Sequence, residues 1–524
     1  MLSGLSFETA RPVGGLAPAR TDVACFIGHV ARRPGVALPA DLRSALTAAG
    51  WIDGPWARSP ASLESLEQTP VSFDSWDAFA RLFAWDARPV TDSGEARCAT
   101  YLGAALRSFF ATGGRRAVVI RVADPFPYLE SGGARVASRD ARLAALVPAF
   151  APAALPFDPT DPRTWRGIQH LYGLPEVSHL CLPDLPDLCA SDPLAPPTAF
   201  TPPPPPEVFV ECSDNEPPLP GDLGLRRIAA PGSDEAGFLA WRRAASRTCD
   251  FLRRYKREAL FIASLPLPEA GRDDGRSHPD LLEPLRSSGI LEAAGSTEAP
   301  PDSAASAFVQ ITWPWLHSLR SADLPQSIEP PDGLFAGLLA RNALQRGTFR
   351  SVAGTLLDDV IGLTPLPAMG LGPDSPTDQL AGRLCVFAPE PEGVAVQSDV
   401  TSSPQHAWRF GGSSRLLAAI LKAARHFGEA HVFAPNGPAL WAQLRRSTED
   451  MLEAFRREGA FGGNSASEAY QVRCDASTMS QNDIDNGRLI AEITVLPAAS
   501  ITRITVVLNL LAGESAAALI QEVA

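Results

Sequence analysis

Several signatures of catalysis, metal binding and membrane insertion are missing from this 524-residue sequence. Its eight cysteines form no C-x-x-C pair, and its eight histidines form no H-E-x-x-H motif. It contains no G-x-S-x-G, no Walker loop, and no G-x-G-x-x-G after a predicted strand. No apolar run approaches the ~20 residues of a membrane helix, and MLSGLSFETARP lacks the basic and apolar segments of a signal peptide. We therefore expect a soluble cytoplasmic protein that is not an enzyme and binds no cofactor or metal.

Positive charge is also scarce. The sequence has 46 Lys and Arg against 59 Asp and Glu, which gives a net charge of −13 at pH 7. A protein that coats nucleic acid needs a basic stripe to displace counterions, so the composition argues against that class. The cysteines are scattered, and we expect them to be buried thiols in a reducing compartment.

Apolar residues make up 45% of the sequence, enough for a large core. A length of about 150 residues per domain predicts roughly three or four domains. Buried strands are predicted at 23–30, 117–122, 178–182, 259–265 and 308–313, and helices at 74–84, 101–112 and 238–257. This alternation predicts an α/β fold with mixed α+β elements. Surface insertions are predicted at 126–159, 187–235 and 268–304, the second of which contains the polyproline run 202–206.

Three local patterns have structural interpretations that we prefer to functional ones. The pair Gly113 and Gly114 follows a helix, whereas phosphate loops precede one, so we interpret it as a helix C-cap. Trp313 and Trp315 are interpreted as core residues and not as a ligand-stacking platform. The basic residues of the helix at 238–257 are interpreted as a solvated helix face; they are Arg242, Arg243, Arg247, Arg253, Arg254, Lys256 and Arg257.

The C-terminal part, 381–499, is predicted to be an α/β domain. A strand at 384–388 precedes a helix at 413–427 and a strand at 431–434, after which Asn436 is placed to cap a second helix. Two further strands are predicted at 472–474 and 489–496. Between them Ser480 and Asp483 form a capping-box pattern, and Gly487 is placed to end the turn in a left-handed conformation.

Both termini have the alternation of short strands. The N-terminal arm, 1–20, has Leu5, Phe7 and Thr9 on one side. The C-terminal arm, 500–524, has Thr502, Ile504, Val506 and Leu508 on one side and Ile501 on the other. Such strands pair either within their own subunit or with the sheet edge of another chain, and the alternation alone leaves both options open.

The C-terminal region resembles the signature of contractile tail sheath proteins from bacteriophages and phage-tail-like injection systems. The matching residues are Phe433, Pro435, Asn436, Leu440, Trp441, Val472, Arg473, Cys474, Asp475, Thr478, Met479, Ser480, Asp483, Ile484, Gly487, Arg488 and Leu489. Blocks at 24–33, 72–84, 101–122 and 330–354 look like sheath sequence in the family's order. With the C-terminal region, the resemblance covers somewhat under half of the chain.

The resemblance implies a multidomain tail-sheath-like architecture with terminal strand arms exchanged between subunits. An outer or middle α/β domain would comprise 21–125, 160–186 and 236–380, and 381–499 would be the inner sheath domain. The implied partners are other copies or sheath paralogues in a helical homo-oligomer, an inner tube protein, and baseplate and terminator proteins, with no nucleic acid and no membrane insertion. Arg445, Arg446, Arg456 and Arg457 are candidates to face an acidic tube, although ordinary solvated helix charge is the alternative.

Two departures from the family pattern leave other functions open. FETARPVGGLAPA stands where the P-G-V-Y arm motif is usual, and VAVQSDVTS stands at 394–402 in place of W-G-A-R-T. A sheath-fold paralogue that acts as a non-contracting initiator, spacer or terminator is therefore the second hypothesis. The third is a cytoplasmic α/β hydrolase or transferase, which would require a pocket where titratable groups converge.

Overall fold

The computed structural model describes residues 20–57, 59–130, 134–150, 157–193, 224–269, 285, 305–367, 380–431, 434–485, 488–498, 505–508 and 518–521. The chain divides into two compact units between Lys422 and Ala423. We call the described residues up to Lys422 the larger unit, and those after it the smaller unit.

Helices are distributed along the whole of the described chain. They are α1 (Ala40–Ala48), α2 (Pro60–Ser65), α3 (Trp76–Leu82), α4 (Tyr101–Thr112), α5 (Ala134–Leu146), α6 (Leu185–Leu188), α7 (Glu235–Tyr255), α8 (Asp332–Gln345), α9 (His406–Arg409), α10 (Gly411–Ala430), α11 (Pro438–Arg457), α12 (Ala466–Ala469) and α13 (Gln481–Asp485).

The strands alternate with these helices. They are β1 (Ala24–His29), β2 (Ala31–Arg32), β3 (Pro70–Phe73), β4 (Phe83–Ala84), β5 (Arg88–Pro89), β6 (Arg97–Cys98), β7 (Ala117–Ala123), β8 (His179–Cys181), β9 (Gly232–Ser233), β10 (Leu260–Ser264), β11 (Leu267–Pro268), β12 (Val309–Trp313), β13 (Trp315–Ser318), β14 (Leu356–Leu357), β15 (Val360–Thr364), β16 (Cys385–Glu390), β17 (Gly393–Val396), β18 (Tyr470–Arg473), β19 (Glu492–Val495), β20 (Thr505–Leu508) and β21 (Ala518–Gln521).

A nine-stranded sheet organises the larger unit, in the order β14-β17-β16-β12-β10-β8-β1-β7-β3. The six strands from β16 to β7 are parallel, and β3, β17 and β14 are antiparallel to their neighbours. Every residue of β1, β10 and β12 is buried, as expected for parallel strands covered on both faces. The predicted α/β class is confirmed.

Helices cover both faces of this sheet. Along β1, Cys25 and Ile27 belong to the core that also contains Trp241 of α7, whereas Phe26 belongs to the core that contains Phe109 of α4. Successive strand residues point to opposite faces, so a continuous apolar run supplies both cores. The larger unit is therefore a three-layer α/β structure.

One predicted surface insertion is wrong in part. Residues 126–159 contain α5, whose Leu143 and Leu146 are completely buried, and Val147 follows them in the same core. These positions are three and four residues apart and therefore form one helix face. The charged residues of α5, Arg135, Arg139, Asp140 and Arg142, all precede this apolar end and make most of the segment resemble a polar surface insertion.

The division between the units differs from the one predicted at residue 381. β16 pairs in parallel with β12 through Cys385↔Thr312 and Val386↔Trp313, and β17 extends the same sheet. Residues 385–396 are therefore part of the larger unit. The unit boundary instead falls within α10.

Two of the three local interpretations agree with the structure, and the third agrees in part. Gly113 is the C-cap of α4 with φ of 117°, in the left-handed region that favours glycine. Trp313 and Trp315 are 1% and 0% exposed, which identifies them as core residues. One face of α7 is buried around Trp241 and Leu252, and the side chains of Arg253 and Arg254 lie off that face. The interpretation is wrong for Lys256, which is completely buried and ion-paired with Glu258.

Candidate assembly surface

The motif at 471–497 forms a two-stranded antiparallel sheet, β18 with β19, which we call the C-terminal sheet. Its register pairs Val472 with Ile493 and Arg473 with Glu492. Val472 is buried, and Arg473 lies on the exposed face. The Arg473 guanidinium lies 3.3 Å from the Glu492 carboxylate, and this exposed ion pair contributes little energy. The opposed charges nevertheless favour this register over a one-residue slip.

A small core in the smaller unit accompanies the C-terminal sheet. Phe427 of α10, Leu444 of α11 and Cys474 are buried together, and Trp441 packs against them. Burial raises the pKa of the Cys474 thiol. The Tyr470 hydroxyl donates to a Glu453 carboxylate oxygen at 3.3 Å, which ties β18 to α11.

The predicted capping box of the connecting turn is confirmed. The Ser480 Oγ accepts from the Asp483 N–H at 3.2 Å, and an Asp483 carboxylate oxygen accepts from the Ser480 N–H at 3.1 Å. The Ser480 hydroxyl also donates to this carboxylate at 2.6 Å, and these bonds lower the pKa of Asp483. α13 follows directly. Gly487 lies outside the described residues.

The predicted helix cap at Asn436 is wrong. α11 begins at Pro438, Gly437 occupies the N-cap position, and no side chain caps the helix there. Proline is favoured in the first helical turn because it needs no hydrogen-bond acceptor, and this moves the helix start past Asn436. Asn436 instead accepts from the Trp441 indole at 2.8 Å and donates to the Arg488 carbonyl at 3.0 Å.

Most other motif residues also hold the turn together. Thr478 donates to the Ile490 carbonyl at 2.8 Å, and Asp475 accepts from the Ser477 N–H at 2.7 Å. Met479 is buried, whereas Pro435 is exposed. Arg488 lies 3.8 Å from Asp483.

The predicted strand at 431–434 has a turn at His431 and a bend at Ala434, and Phe433 lies outside the described residues.

In the part of the chain that the structure describes, no third strand joins the C-terminal sheet. Among the described residues β18 and β19 pair only with each other, so each presents one edge of backbone N–H and C=O groups without a strand partner. Two-stranded sheets are marginally stable alone, and a third or fourth strand adds stability.

The C-terminal arm has its own hairpin, β20 with β21, which we call the terminal hairpin. Val506 pairs with Ile520, and Leu508 with Ala518, in an antiparallel sheet of two strands. Sequence reasoning missed β21, although the apolar run ALI at 518–520 is a weak strand signal. The remaining predicted arm residues, Leu5, Phe7, Thr9, Ile501, Thr502 and Ile504, lie outside the described residues.

The four candidate tube-facing arginines lie on α11 among carboxylates. Arg456 and Arg457 both contact Glu453, at 2.7 and 3.1 Å, and Arg445 lies 3.9 Å from Glu449. The guanidinium of Arg456 lowers the pKa of Glu453 to about 2. Arg446 is exposed. The surface of α11 therefore carries both positive and negative charge. Arg446 belongs to none of these ion pairs.

A groove of about 1040 Å³ in the larger unit is lined by α1, β3 and the tryptophans Trp51, Trp56 and Trp165. Polar groups along it have structural partners: Ser75 caps α3 by accepting from Ala78 N–H at 3.3 Å, and Asp74 is ion-paired with Arg116.

No group of three His, Cys, Asp or Glu side chains in the described ranges can hold a metal ion. Among the helices described, none is both long and apolar enough to cross a membrane.

Cysteines in the described residues are free and buried: Cys25, Cys98, Cys181, Cys189, Cys249, Cys385 and Cys474. Burial raises the pKa of the Cys98 thiol to about 11, which keeps it protonated and unreactive at neutral pH. This agrees with the predicted scattered thiols.

Three cryo-EM structures share this architecture over nearly the entire chain. A chain of the anti-feeding prophage baseplate in its contracted state is 16% identical with a TM-score of 0.58, and the match covers 98% of this chain and 100% of that one. A chain of the anti-feeding prophage helical sheath, contracted, is 17% identical with a TM-score of 0.52, over 96% and 97%. A chain of the contracted PVC sheath complex, from an extracellular contractile injection system, is 14% identical with a TM-score of 0.50, over 96% and 97%.

No protein-family model matches the chain, and no curated protein matches its sequence. At 14–17% identity the likeness is one of fold, and it includes both units.

Proposed function

We propose that this chain, which has the tail-sheath fold, is a structural subunit of the contractile sheath of a phage-tail-like injection system. It polymerises around an inner tube and contracts to drive the tube through a target envelope. The observation that carries this proposal is the end-to-end match to a chain of a helical sheath, which covers 96% of this chain and 97% of that one. It is a non-enzymatic role that needs no cofactor.

Subunits are joined by exchange of their terminal strands. The open edges of the C-terminal sheet accept the N-terminal arm of one neighbour and the C-terminal arm of another. β20 has four residues, and at ~0.5–1.5 kcal/mol net for each backbone hydrogen bond, a strand of that length contributes a few kcal/mol. Such a contact is weak singly and strong when repeated along a cylinder.

Contraction is a switch between two packings of the same subunits. The extended cylinder is assembled in a metastable packing, and the free-energy difference between the two packings drives the movement. The strand contacts stay intact while the units of each subunit change their neighbours. No nucleotide is consumed.

The other partners follow from the same role. α11 faces an inner tube protein whose surface is acidic, with Arg445, Arg446, Arg456 and Arg457 toward it. Baseplate and terminator proteins bind the two ends of the cylinder. The particle is assembled in the cytoplasm, with no contact with nucleic acid and no insertion of the sheath into a membrane.

Electron microscopy of the chain co-expressed with its gene cluster tests the proposal. We expect tubular particles from the intact chain and none after deletion of 1–12 or of 500–524, while each truncated protein remains a folded monomer. Deletion of 271–279, in a predicted surface insertion, is the matched control and is expected to assemble. Absence of any tubular assembly from the intact chain, or unfolding of both arm truncations, would contradict the proposal.

A second candidate is a sheath-fold paralogue that does not contract and serves as initiator, spacer or terminator. Chains of two baseplate structures match with TM-scores of 0.52 and 0.58 and a chain of a helical sheath with 0.52, so the fold fits this candidate equally. The departures from the arm motif at 7–19 favour it. Subunit stoichiometry in purified particles separates the two candidates, because a sheath matches the tube protein about one to one and an initiator is present in only a few copies.

A further inference from the structure

The two ends of the larger unit meet at one buried ammonium group. Lys422 is the last residue of this unit and is 6% exposed. Its Nζ donates to the carbonyl of Arg20 at 2.7 Å, to the Ser178 hydroxyl at 2.9 Å and to the carbonyl of Glu176. An ammonium has three donors, and here all three are used. Lys422 thus joins α10, the segment that enters β1 and the segment that enters β8.

These segments are also joined to the centre of the sheet. The N–H groups of Ser178 and His179 donate to the Val23 carbonyl at 2.9 and 3.2 Å, and Leu260 N–H donates to the Ser178 carbonyl at 2.9 Å. Arg20 is the first described residue of the larger unit and Lys422 is its last, so one ammonium binds both ends of the described part of this unit.

Lys422 has no room for a ligand. The adjacent space, lined by Thr21, His179 and Arg415 among others, is about 10 Å³, which is about the volume for a single water molecule. The partners of the ammonium are therefore the chain itself. Its role is to position these segments and not to bind a substrate.

Charged and titratable groups from several segments lie around the Lys422 ammonium. Before β1 lie Arg20 and Asp22, which are ion-paired at 2.7 Å. Glu176 and His179 come from the β8 segment, and Lys256 and Glu258, paired at 3.0 Å, lie between α7 and β10. Arg415, paired with Asp399 at 2.6 Å, lies on α10. The hydrogen-bond acceptors of Lys422 are neutral, so none of these carboxylates neutralises it directly.

We propose that Lys422 and its three hydrogen bonds form a latch, which holds the two ends of the larger unit together. The latch opens, by breaking these hydrogen bonds, more readily when the Lys422 amine is protonated than when it is neutral. Opening exposes the ammonium to water, which removes the cost of burying its charge. The latch belongs to the single subunit and does not depend on the proposed assembly.

The burial of the Lys422 ammonium decides in which direction pH changes the opening of the latch. Desolvation, reinforced by the charge of Lys256, lowers the pKa of Lys422 from 10.5 to about 8. In the closed latch the proton is lost near pH 8, whereas in the open latch it is retained up to about pH 10.5, so opening takes up a proton between these values. Opening therefore becomes less favourable as the pH rises above 8. His179, whose pKa burial lowers to about 3, stays neutral throughout this range.

Trypsin cleavage after Arg20 in the full chain measures the opening, because the Arg20 carbonyl is one of the latch acceptors. The cleavage rate is divided by that of a peptide of residues 16–25, which corrects for the pH dependence of trypsin. When closing is faster than cleavage, this ratio follows the population of the open latch. We expect the ratio to fall roughly twentyfold between pH 7.5 and 9.5, as linkage to these two pKa values requires.

Two variants assign the effect to Lys422. In Lys422→Met the ratio is expected to lose its dependence on pH, because the variant has no ammonium at this position. Lys256 and the other nearby charged groups are unchanged, so the loss is assigned to Lys422. Arg425→Met, on the same helix, is the matched control and is expected to show the wild-type fall. A wild-type ratio that is flat or rises with pH overturns the proposal, as does a Lys422→Met profile that falls like the wild type.

Discussion

Replacing Asp332 with asparagine is expected to stabilise the protein at neutral pH, although aspartate is a favoured residue at a helix start. Asp332 is the first residue of α8 and is completely buried. Its Oδ1 accepts from the Gly333 N–H at 2.9 Å, and the helix dipole there favours negative charge by about 0.3–2 kcal/mol. Burial outweighs both and, with the nearby charge of Asp184, raises the pKa of Asp332 from 3.8 to about 8.

The magnitude follows from proton linkage. Between pH 4 and 8 the folded chain keeps the Asp332 proton and the unfolded chain has lost it, so raising the pH favours unfolding. Each pKa unit corresponds to about 1.4 kcal/mol, and three units separate the unfolded pKa from pH 7. Asp332 therefore lowers the free energy of unfolding at pH 7 by on the order of 4 kcal/mol. This cost is absent below pH 4 and constant above pH 8.

Urea unfolding of the full chain at pH 5, 6, 7 and 8, followed by tryptophan fluorescence, measures the effect. The stability gain of Asp332→Asn is expected to grow by about 1.4 kcal/mol per pH unit up to pH 8. Asp187→Asn is the matched contrast, because Asp187 is equally buried but Arg88 and Arg135 hold its pKa below the usual range. That variant is expected to lose about 3–5 kcal/mol. A loss of stability in Asp332→Asn at pH 7, or a gain that does not change with pH, would refute the reasoning.

Three further substitutions test other parts of the molecule. Asp399→Asn removes the charged partner of a buried guanidinium and is expected to cost about 3–5 kcal/mol in urea unfolding. Ser480→Ala removes the α13 cap and is expected to cost about 1 kcal/mol, seen as faster hydrogen exchange confined to that turn. Arg446→Glu is expected to weaken assembly around the tube in sedimentation, whereas Arg43→Glu, on α1, leaves assembly unchanged.

The central strands could be predicted from the sequence because their signal is local. β1 begins with the apolar run 24–27 and β7 with the apolar run 117–120, and such runs are the pattern of strands buried on both faces. The sequence does not predict α5, because four charged residues between 135 and 142 precede its buried positions Leu143 and Leu146. The predicted N-cap of α11 is wrong by one residue, because Pro438 competes with the capping signal of Asn436.

The candidate surface was only partly predictable. The strands of the C-terminal sheet and the Ser480 capping box have clear local patterns, and both were found. Whether a strand edge is open depends on which other strands lie beside it, and this is decided by tertiary structure. The contacts of Lys422 were not foreseen for the same reason, because Arg20 and Glu176 are far from it in sequence.

The order of the nine-stranded sheet has a consequence for synthesis. β1 is an interior strand of the sheet, yet β17, near the far edge, ends at Val396, so roughly 370 residues must be translated between them. At about 5–20 residues per second the ribosome needs about 20–75 s for this stretch. During that interval the nascent chain carries apolar strands that lack their final neighbours, and such nonlocal pairing is slow. Recombinant yield should therefore rise with holdase chaperones and with slower translation or lower growth temperature.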